Sequence, residues 1–297
     1  MTDIYHYPVM YREVIEQLDL FTKKVAVDCT VGMGAHSEKI LHAMGSDGYL
    51  VGIDKDEESL NIARARLHDF TGRFLLAKSD FSGLDQVLED AGFKGVDAFL
   101  FDLGISMYQL TNAERGFSFL REGPLDMRMD RDASLSAADL VSSLSEEELS
   151  DIFYKFGEER YARRIAASVV AGRKKVPITT TTGLARIVYD SVPARMRHGR
   201  IHPATRIFQA LRIAVNRELD VIEESLRKAV ALLNPNGRIA VITFHSLEDR
   251  IVKHLFKDLA MKGVVELAVK KPLVPSDLEL KENNASRSAK LRVAIKK

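Results

Sequence analysis

Four short β-rich runs alternate with helical patterns between Lys24 and Leu103, and that alternation leaves few folds open to the chain. Lys24 to Thr30 reads as a strand, and His36 to Met44 as a helix stopped by Gly45. Tyr49 to Asp54 is a second strand, and Glu57 to Leu67 a helix with apolar residues at helical spacing. Phe74 to Ala77 and Leu84 to Ala91 repeat the pair. Val96 to Leu103 is almost continuously apolar, the mark of a strand covered on both faces. Strands joined through helices pair in parallel with right-handed crossovers, so the spacing predicts an α/β, doubly wound, mostly parallel Rossmann-like sheet.

The alternation then lapses. Gln109 to Ile207 lacks strand patterns and reads as a helical insertion after the fourth strand, too long for an ordinary loop. Ser145 with Glu148 forms a capping box, and Thr179–Thr182 reads as a helix start. Beyond the insertion come a helix from Val215 to Leu233, a Pro235–Gly237 turn, a strand from Arg238 to Phe244 and a helix from Leu247 to Leu259. Two β-like runs, Val264–Val269 and Leu291–Ile295, suit an antiparallel edge. The expected organisation is a core in two parts, 1–108 and 208–297, with a substrate-recognition insertion at 109–207. With 297 residues, 46% of them hydrophobic, the chain can bury such a core and a smaller unit beside it.

Composition narrows the setting. Cys29 is the one cysteine, which excludes an internal disulfide and a cysteine-rich metal site. No run of about eighteen apolar residues is present, so no membrane span is expected. Met1 to Pro8 does not read as a signal peptide, and a cytoplasmic protein without a metal is expected. The net charge of +1 hides a segregation. Glu122 to Glu159 holds eleven acids against three bases, and Tyr161 to Arg212 eleven bases against Asp190 alone. The last dozen residues add five bases and no acid. Such a basic stretch suits a polyanion, or else neutralises the acidic stretch beside it.

The turn after the first strand reads Val27-Asp28-Cys29-Thr30-Val31-Gly32-Met33-Gly34-Ala35-His36. It follows a strand and opens a helix, the setting of a nucleotide-binding glycine loop. A dinucleotide loop needs a third small residue where Ser37 stands. S-adenosylmethionine, with its amino-acid tail, makes no such demand, and Asp28 is placed to take its ammonium directly or through water. A tight turn without a ligand is the plain alternative. Asp54 ends the second strand twenty positions beyond Gly34, where an acid accepts hydrogen bonds from ribose hydroxyls; alone it would be a surface acid or an N-cap. Phe81, after the third strand, is placed to pack on an adenine or to join the core.

Phe101-Asp102-Leu103-Gly104 ends the fourth strand, at the switch point where doubly wound sheets bind ligands. A carboxylate there can accept hydrogen bonds from an exocyclic amine, pull it towards tetrahedral geometry and free its lone pair for attack on a methyl sulfonium. Asp102 can equally be a helix N-cap or a cofactor ligand. Asp102-Leu103-Gly104-Ile105 is not the (Asp/Asn/Ser)-Pro-Pro-(Tyr/Phe) motif common in enzymes that methylate amines, so spacing alone does not fix the acceptor. Cys29 is badly placed as a covalent nucleophile, which favours direct transfer. In Phe244–Arg250, Ser246 with Asp249 makes a capping box, and His245 is placed for substrate contact or for packing.

Over nearly its full length the sequence resembles the bacterial 16S rRNA (cytosine-N4)-methyltransferase family. The resemblance rests on His6–Met10, Asp28–Ser37, Phe101–Ser106, Glu114–Phe119, Gly123–Asp130, Gly157–Arg160, His202–Arg206, Phe208–Ile213, Val215-Asn216, Phe244–Arg250 and Ser286–Arg292. It implies a class I methyltransferase sheet with a helical insertion, S-adenosyl-L-methionine as cofactor, and N4-methylation of a cytosine in the decoding region of 16S rRNA within the small ribosomal subunit. Carried over by match, the cofactor positions are Gly34, Ala35, His36, Asp54, Phe81, Asp102 and Gln109, with Asp102 also the catalytic candidate. Ala35 departs from a Gly-Gly-His run, Met107-Tyr108 from Ser-Pro, and Thr111 from Asp.

The resemblance also gives the basic stretch a partner: Arg163, Arg164, Arg173, Lys174, Lys175 and Arg200 would track rRNA phosphates. Phe117, Phe119 and Tyr108 are placed either to hold an unstacked cytosine or, for the phenylalanines, to pack the insertion's own core. Asp126–Asp130 either lines the pocket or pairs with arginines of the basic half. The rival readings are a methyltransferase for another nucleobase amine or RNA, and a non-catalytic RNA-binding assembly factor.

Overall fold

The computed structural model describes residues 7–199 and 201–297, so His6 and Arg200 lie outside the described residues. The chain divides into two compact units, one of residues 1–104 with 219–297 and one of Ile105–Glu218.

In the first unit the described residues form one seven-stranded sheet of order β3-β2-β1-β4-β5-β7-β6. Its strands are β1 (Val25–Asp28), β2 (Tyr49–Asp54), β3 (Phe74–Lys78), β4 (Val96–Asp102), β5 (Leu233–Thr243), β6 (Val265–Leu267) and β7 (Lys290–Lys296). Strands β1 to β5 run parallel; β7 pairs antiparallel with β5, and β6 with β7. This is the doubly wound, mostly parallel sheet expected from the alternation, with an antiparallel edge. Alternate residues of each strand supply two separate cores. Val27, Val51, Phe99, Phe101 and Val241 share one with Leu84, Leu88, Leu226 and Val252. Ala26, Leu50, Leu100 and Ile242 share the other with Val14, Leu18, Ile40 and Leu41. Apolar residues at both parities make β4 read as continuously apolar.

Helices α1 (Tyr11–Leu18), α2 (Ala35–Ala43), α3 (Glu57–Arg66) and α4 (Leu84–Asp90) precede the second unit. That unit holds α5 (Met107–Thr111), α6 (Ala137–Ser143), α7 (Glu146–Lys155), α8 (Ala162–Arg173), α9 (Thr181–Ser191), α10 (Ala194–Arg197) and α11 (Ala204–Asn216). It is wider than the 109–207 read from the sequence, because Ile207, Phe208, Ala210 and Leu211 of α11 are buried in its core with Leu149, Phe153, Ile165 and Val188. Ser145 and Glu148 form the expected capping box, and Thr180 caps α9. An isolated bridge between Pro124 and Thr180 is the β pairing found among this unit's described residues.

Two expectations need correction. The helix read from Val215 to Leu233 is broken at Arg217, whose φ of 51° places it in the left-handed region, where it ends α11. A new helix, α12 (Glu218–Leu232), starts at once, and Arg212 holds Glu218 through two 2.9 Å hydrogen bonds. Apolar periodicity runs through such a break unmarked. The Pro235–Gly237 turn is instead a bulge inside β5: Val96 pairs with Leu233 but Ala98 with Arg238, and Asn236 takes a φ of 63°. The chain continues through α13 (Ser246–Met261) and α14 (Asp277–Glu282). No helix among the described residues is long and apolar enough to cross a membrane.

Candidate functional site

The carboxyl ends of β1, β2, β4 and β5 bring the candidate residues of the first unit together. Asp28 ends β1 fully buried; Oδ1 accepts from the Thr30 amide at 3.1 Å and Oδ2 from the Ser37 hydroxyl at 2.7 Å. Burial pushes its carboxyl up to about 6, against these two hydrogen bonds. With both oxygens engaged and none of the residue exposed, Asp28 shapes the loop and does not meet a ligand ammonium directly. Ser37, read as the residue that fails a dinucleotide loop, is the side chain that ties α2 to β1.

Gly32 and Gly34 both have positive φ, 50° and 79°. At Gly34, a Cβ would also meet Ala63 Cβ at 3.1 Å, so the backbone there is open on no other terms. Ala35 is the first residue of α2, a position any residue fills, so its replacement of a glycine leaves the turn intact. Asp54 ends β2 and accepts from the Gly32 amide at 2.7 Å and the Asp56 amide at 2.9 Å. It thereby fixes the glycine loop from the neighbouring strand, and burial pushes its carboxyl up to about 6. Phe81 opens a 3-10 turn after β3 and sets its ring edge-on to Phe101, with centroids 5.8 Å apart. It is half-buried and packs against the core, so both roles weighed for it are compatible with its place.

Asp102 ends β4, and its backbone amide donates to the Thr30 hydroxyl at 2.7 Å. Its Oδ2 lies 3.4 Å from His36 Nδ1, while Oδ1 is buried without a hydrogen-bond partner. His36 is itself buried, with Nε2 2.9 Å from the Val9 carbonyl. A carbonyl only accepts, so Nε2 carries a proton; Nδ1 and Oδ2 then face each other favourably only with a second proton between them. Burial, with Asp28 and Glu248 nearby, holds the Asp102 carboxyl well above the usual range, in keeping with that proton. A cation placed beside such a group favours loss of that proton, and the carboxylate left behind can then accept another. Cys29, buried next to Asp28 in sequence, has its thiol pushed up by burial and by Asp28, so it supplies no thiolate.

Glu248 was not singled out by sequence. It is buried at the start of α13, where it accepts from the Phe244 and His245 amides at 2.8 and 3.3 Å. His245, not Ser246, is the N-cap: its Nδ1 accepts from the Glu248 amide at 3.4 Å. The capping box was therefore read one residue late. Ser246-x-x-Asp249 fits the pattern as well as the true pair, and histidine is an unusual cap. Asp249 instead binds Arg292 at 2.7 Å and Lys290 at 3.2 Å.

Gln109 belongs to the second unit, where it is buried and forms a capping box with Ser106 at the start of α5. Phe117 lies in that unit's core, and Phe119 packs on Phe208 and His202 with centroids 5.0 and 4.8 Å away, so packing accounts for both rings. Asp126 is held by Arg128, two residues on, at 2.8 Å, rather than by the basic half. The buried Arg115 is satisfied by the Arg128 and Met129 carbonyls. Arg163, Arg164, Lys174 and Lys175 are exposed at the two ends of α8, whereas Arg173 donates to the Val141 carbonyl at 2.6 Å. Among the described residues no group of three or more His, Cys, Asp or Glu side chains is arranged to hold a metal ion.

A family model described as the MraW methylase family matches residues 3–297. Three similar proteins are each named ribosomal RNA small subunit methyltransferase H. The one from a Sulfurihydrogenibium species is 51% identical over 97% of this chain and 98% of its own. That from Persephonella marina is 48% identical with the same coverage. That from Brevibacillus brevis is 44% identical over 98% of both chains.

Proposed function

The chain belongs to the MraW methylase family, and we propose that it transfers a methyl group from S-adenosylmethionine to the exocyclic N4 amine of a cytosine in the decoding region of 16S rRNA. The observation that carries the chemistry is Asp102, at the switch point of the sheet, with a buried oxygen that has no hydrogen-bond partner. The names of the near full-length relatives support small-subunit rRNA as the substrate class. A substrate of that kind sets the reaction in the cytoplasm.

The residues present fit the cofactor. The positive-φ glycines and Ala35 leave a close backbone approach at the start of α2, Asp54 offers its remaining lone pairs to ribose hydroxyls, and the half-buried Phe81 offers its exposed part to a ring. His36 and Asp102 complete this side. S-adenosylmethionine, when bound, supplies an electrophilic methyl group on a sulfonium.

Asp102 Oδ1 accepts an N–H of the target amine and pulls the nitrogen from conjugation with its ring. As the N–CH3 bond forms and the S–CH3 bond breaks, the nitrogen becomes cationic and sheds one proton. Asp102, ionised beside the bound sulfonium's positive charge, receives it in the role of general base. His36 holds the carboxyl from the other side, through Oδ2. The exposed Arg163, Arg164, Lys174 and Lys175 bind phosphates of the RNA and carry no chemistry. The test is transfer of label from the cofactor's methyl group to small subunits that lack the modification. Label in the 16S rRNA is expected; subunit binding without label would favour an assembly factor.

A further inference from the structure

Two buried side-chain polar atoms among the described residues have no hydrogen-bond partner, Asp102 Oδ1 and His245 Nε2. Both lie at the carboxyl ends of neighbouring strands: Asp102 is paired with Ile242 of β5, and His245 follows that strand's end by two residues. They are also of opposite kind. Because His245 Nδ1 accepts the Glu248 amide, the neutral ring carries its proton on Nε2, which is a donor. Glu248 Oε1 stands 3.0 Å from that nitrogen but off the line of its N–H, so the donor is left unsatisfied. A buried donor and a buried acceptor left open at neighbouring strand ends cost the fold free energy unless a ligand completes them.

We propose that His245 is a substrate-reading residue: its Nε2–H donates to ring N3 of the target cytosine while Asp102 Oδ1 accepts from N4–H. This rests on the N4-methylation reading above. Cytosine shows a donor at N4 beside an acceptor at N3, the complement of the two open atoms. Uracil shows the reverse order, which sets acceptor against Asp102 and donor against His245, so the pair selects as well as orients. The contact positions the base and leaves activation of the amine to Asp102.

Two substitutions separate reading from capping. His245→Asn keeps an oxygen able to cap α13 but has no donor at the Nε2 position. His245→Gln reaches that position with an amide N–H and forfeits the cap. Each is assayed with unmodified small subunits for kcat/KM, with the melting temperature and the cofactor affinity measured alongside. We expect His245→Asn to lose about 100-fold in kcat/KM with melting temperature and cofactor affinity unchanged. We expect His245→Gln to stay within about 10-fold of the parent while melting lower. Parent-like transfer by His245→Asn, or a loss that follows cofactor affinity or melting temperature, overturns the proposal. If the parent protein itself forms a nucleoside other than N4-methylcytidine, the functional reading fails first and this inference with it.

Discussion

The sheet unit and the helical unit treat charge in opposite ways. At the strand ends of the first, Asp28 and Glu248 are buried and Asp54 and Asp102 half-buried, and burial lifts the carboxyls of Asp28, Asp54 and Asp102 above their ordinary range. In the second, the charges inside are neutralised locally, as Asp126 by Arg128 and Glu218 by Arg212, while cations at the ends of α8 face solvent. Clustered buried acids suit a small cationic ligand whose contacts are few and exact. Exposed cations suit a long polyanion, where each contact is weak and screened by salt. The difference predicts that chemistry and affinity for RNA are separable by mutation.

The largest effect should come from Asp102→Ala, with transfer reduced about 1,000-fold, as for loss of a general base, and subunit binding unchanged. Equal losses of transfer and binding would break the separation. Asp54→Ala should weaken cofactor binding about 10- to 100-fold by calorimetry, through lost ribose contacts and a loosened Gly32, while RNA affinity holds. Lys174→Glu with Lys175→Glu should weaken subunit binding about 10-fold at low salt and flatten its salt dependence, with cofactor affinity unaffected. A salt-independent loss would return these lysines to a structural role. The smallest effect concerns pH. Burial holds the Asp28 and Asp54 carboxyls up at about 6, and a cationic cofactor with ribose donors favours their ionised forms. Binding should therefore release protons near pH 6 and tighten a few-fold, roughly, as pH rises through that value. Calorimetry in buffers of different ionisation enthalpy reads this directly, and proton uptake would contradict it.

Much of the first unit was legible because strand ends announce themselves. A short apolar run with an acid at its end locates Asp54 and Asp102 without any knowledge of contacts. What those acids touch was less legible. Asp28 looked free to meet a ligand because its partner, Ser37, lies a turn into the next helix. Glu248 and the His245 cap were hidden by a neighbouring pattern of equal merit, Ser246 with Asp249. In the second unit helices could be expected but not their packing. Whether Phe117 and Phe119 meet a base or each other's neighbours depends on contacts with residues as distant as His202 and Phe208. The pairing of Asp126 with Arg128 shows the same limit at short range, since a local turn decided what a charge count could not.

The central claim is that the methyl group goes to the amine of a cytosine. The protein is incubated with labelled S-adenosylmethionine and small subunits lacking the modification, the 16S rRNA is digested, and the labelled nucleoside is identified by mass spectrometry. The account predicts N4-methylcytidine from a fragment of the decoding region. Label in any other nucleoside, or in a cytidine methylated on carbon, would contradict it.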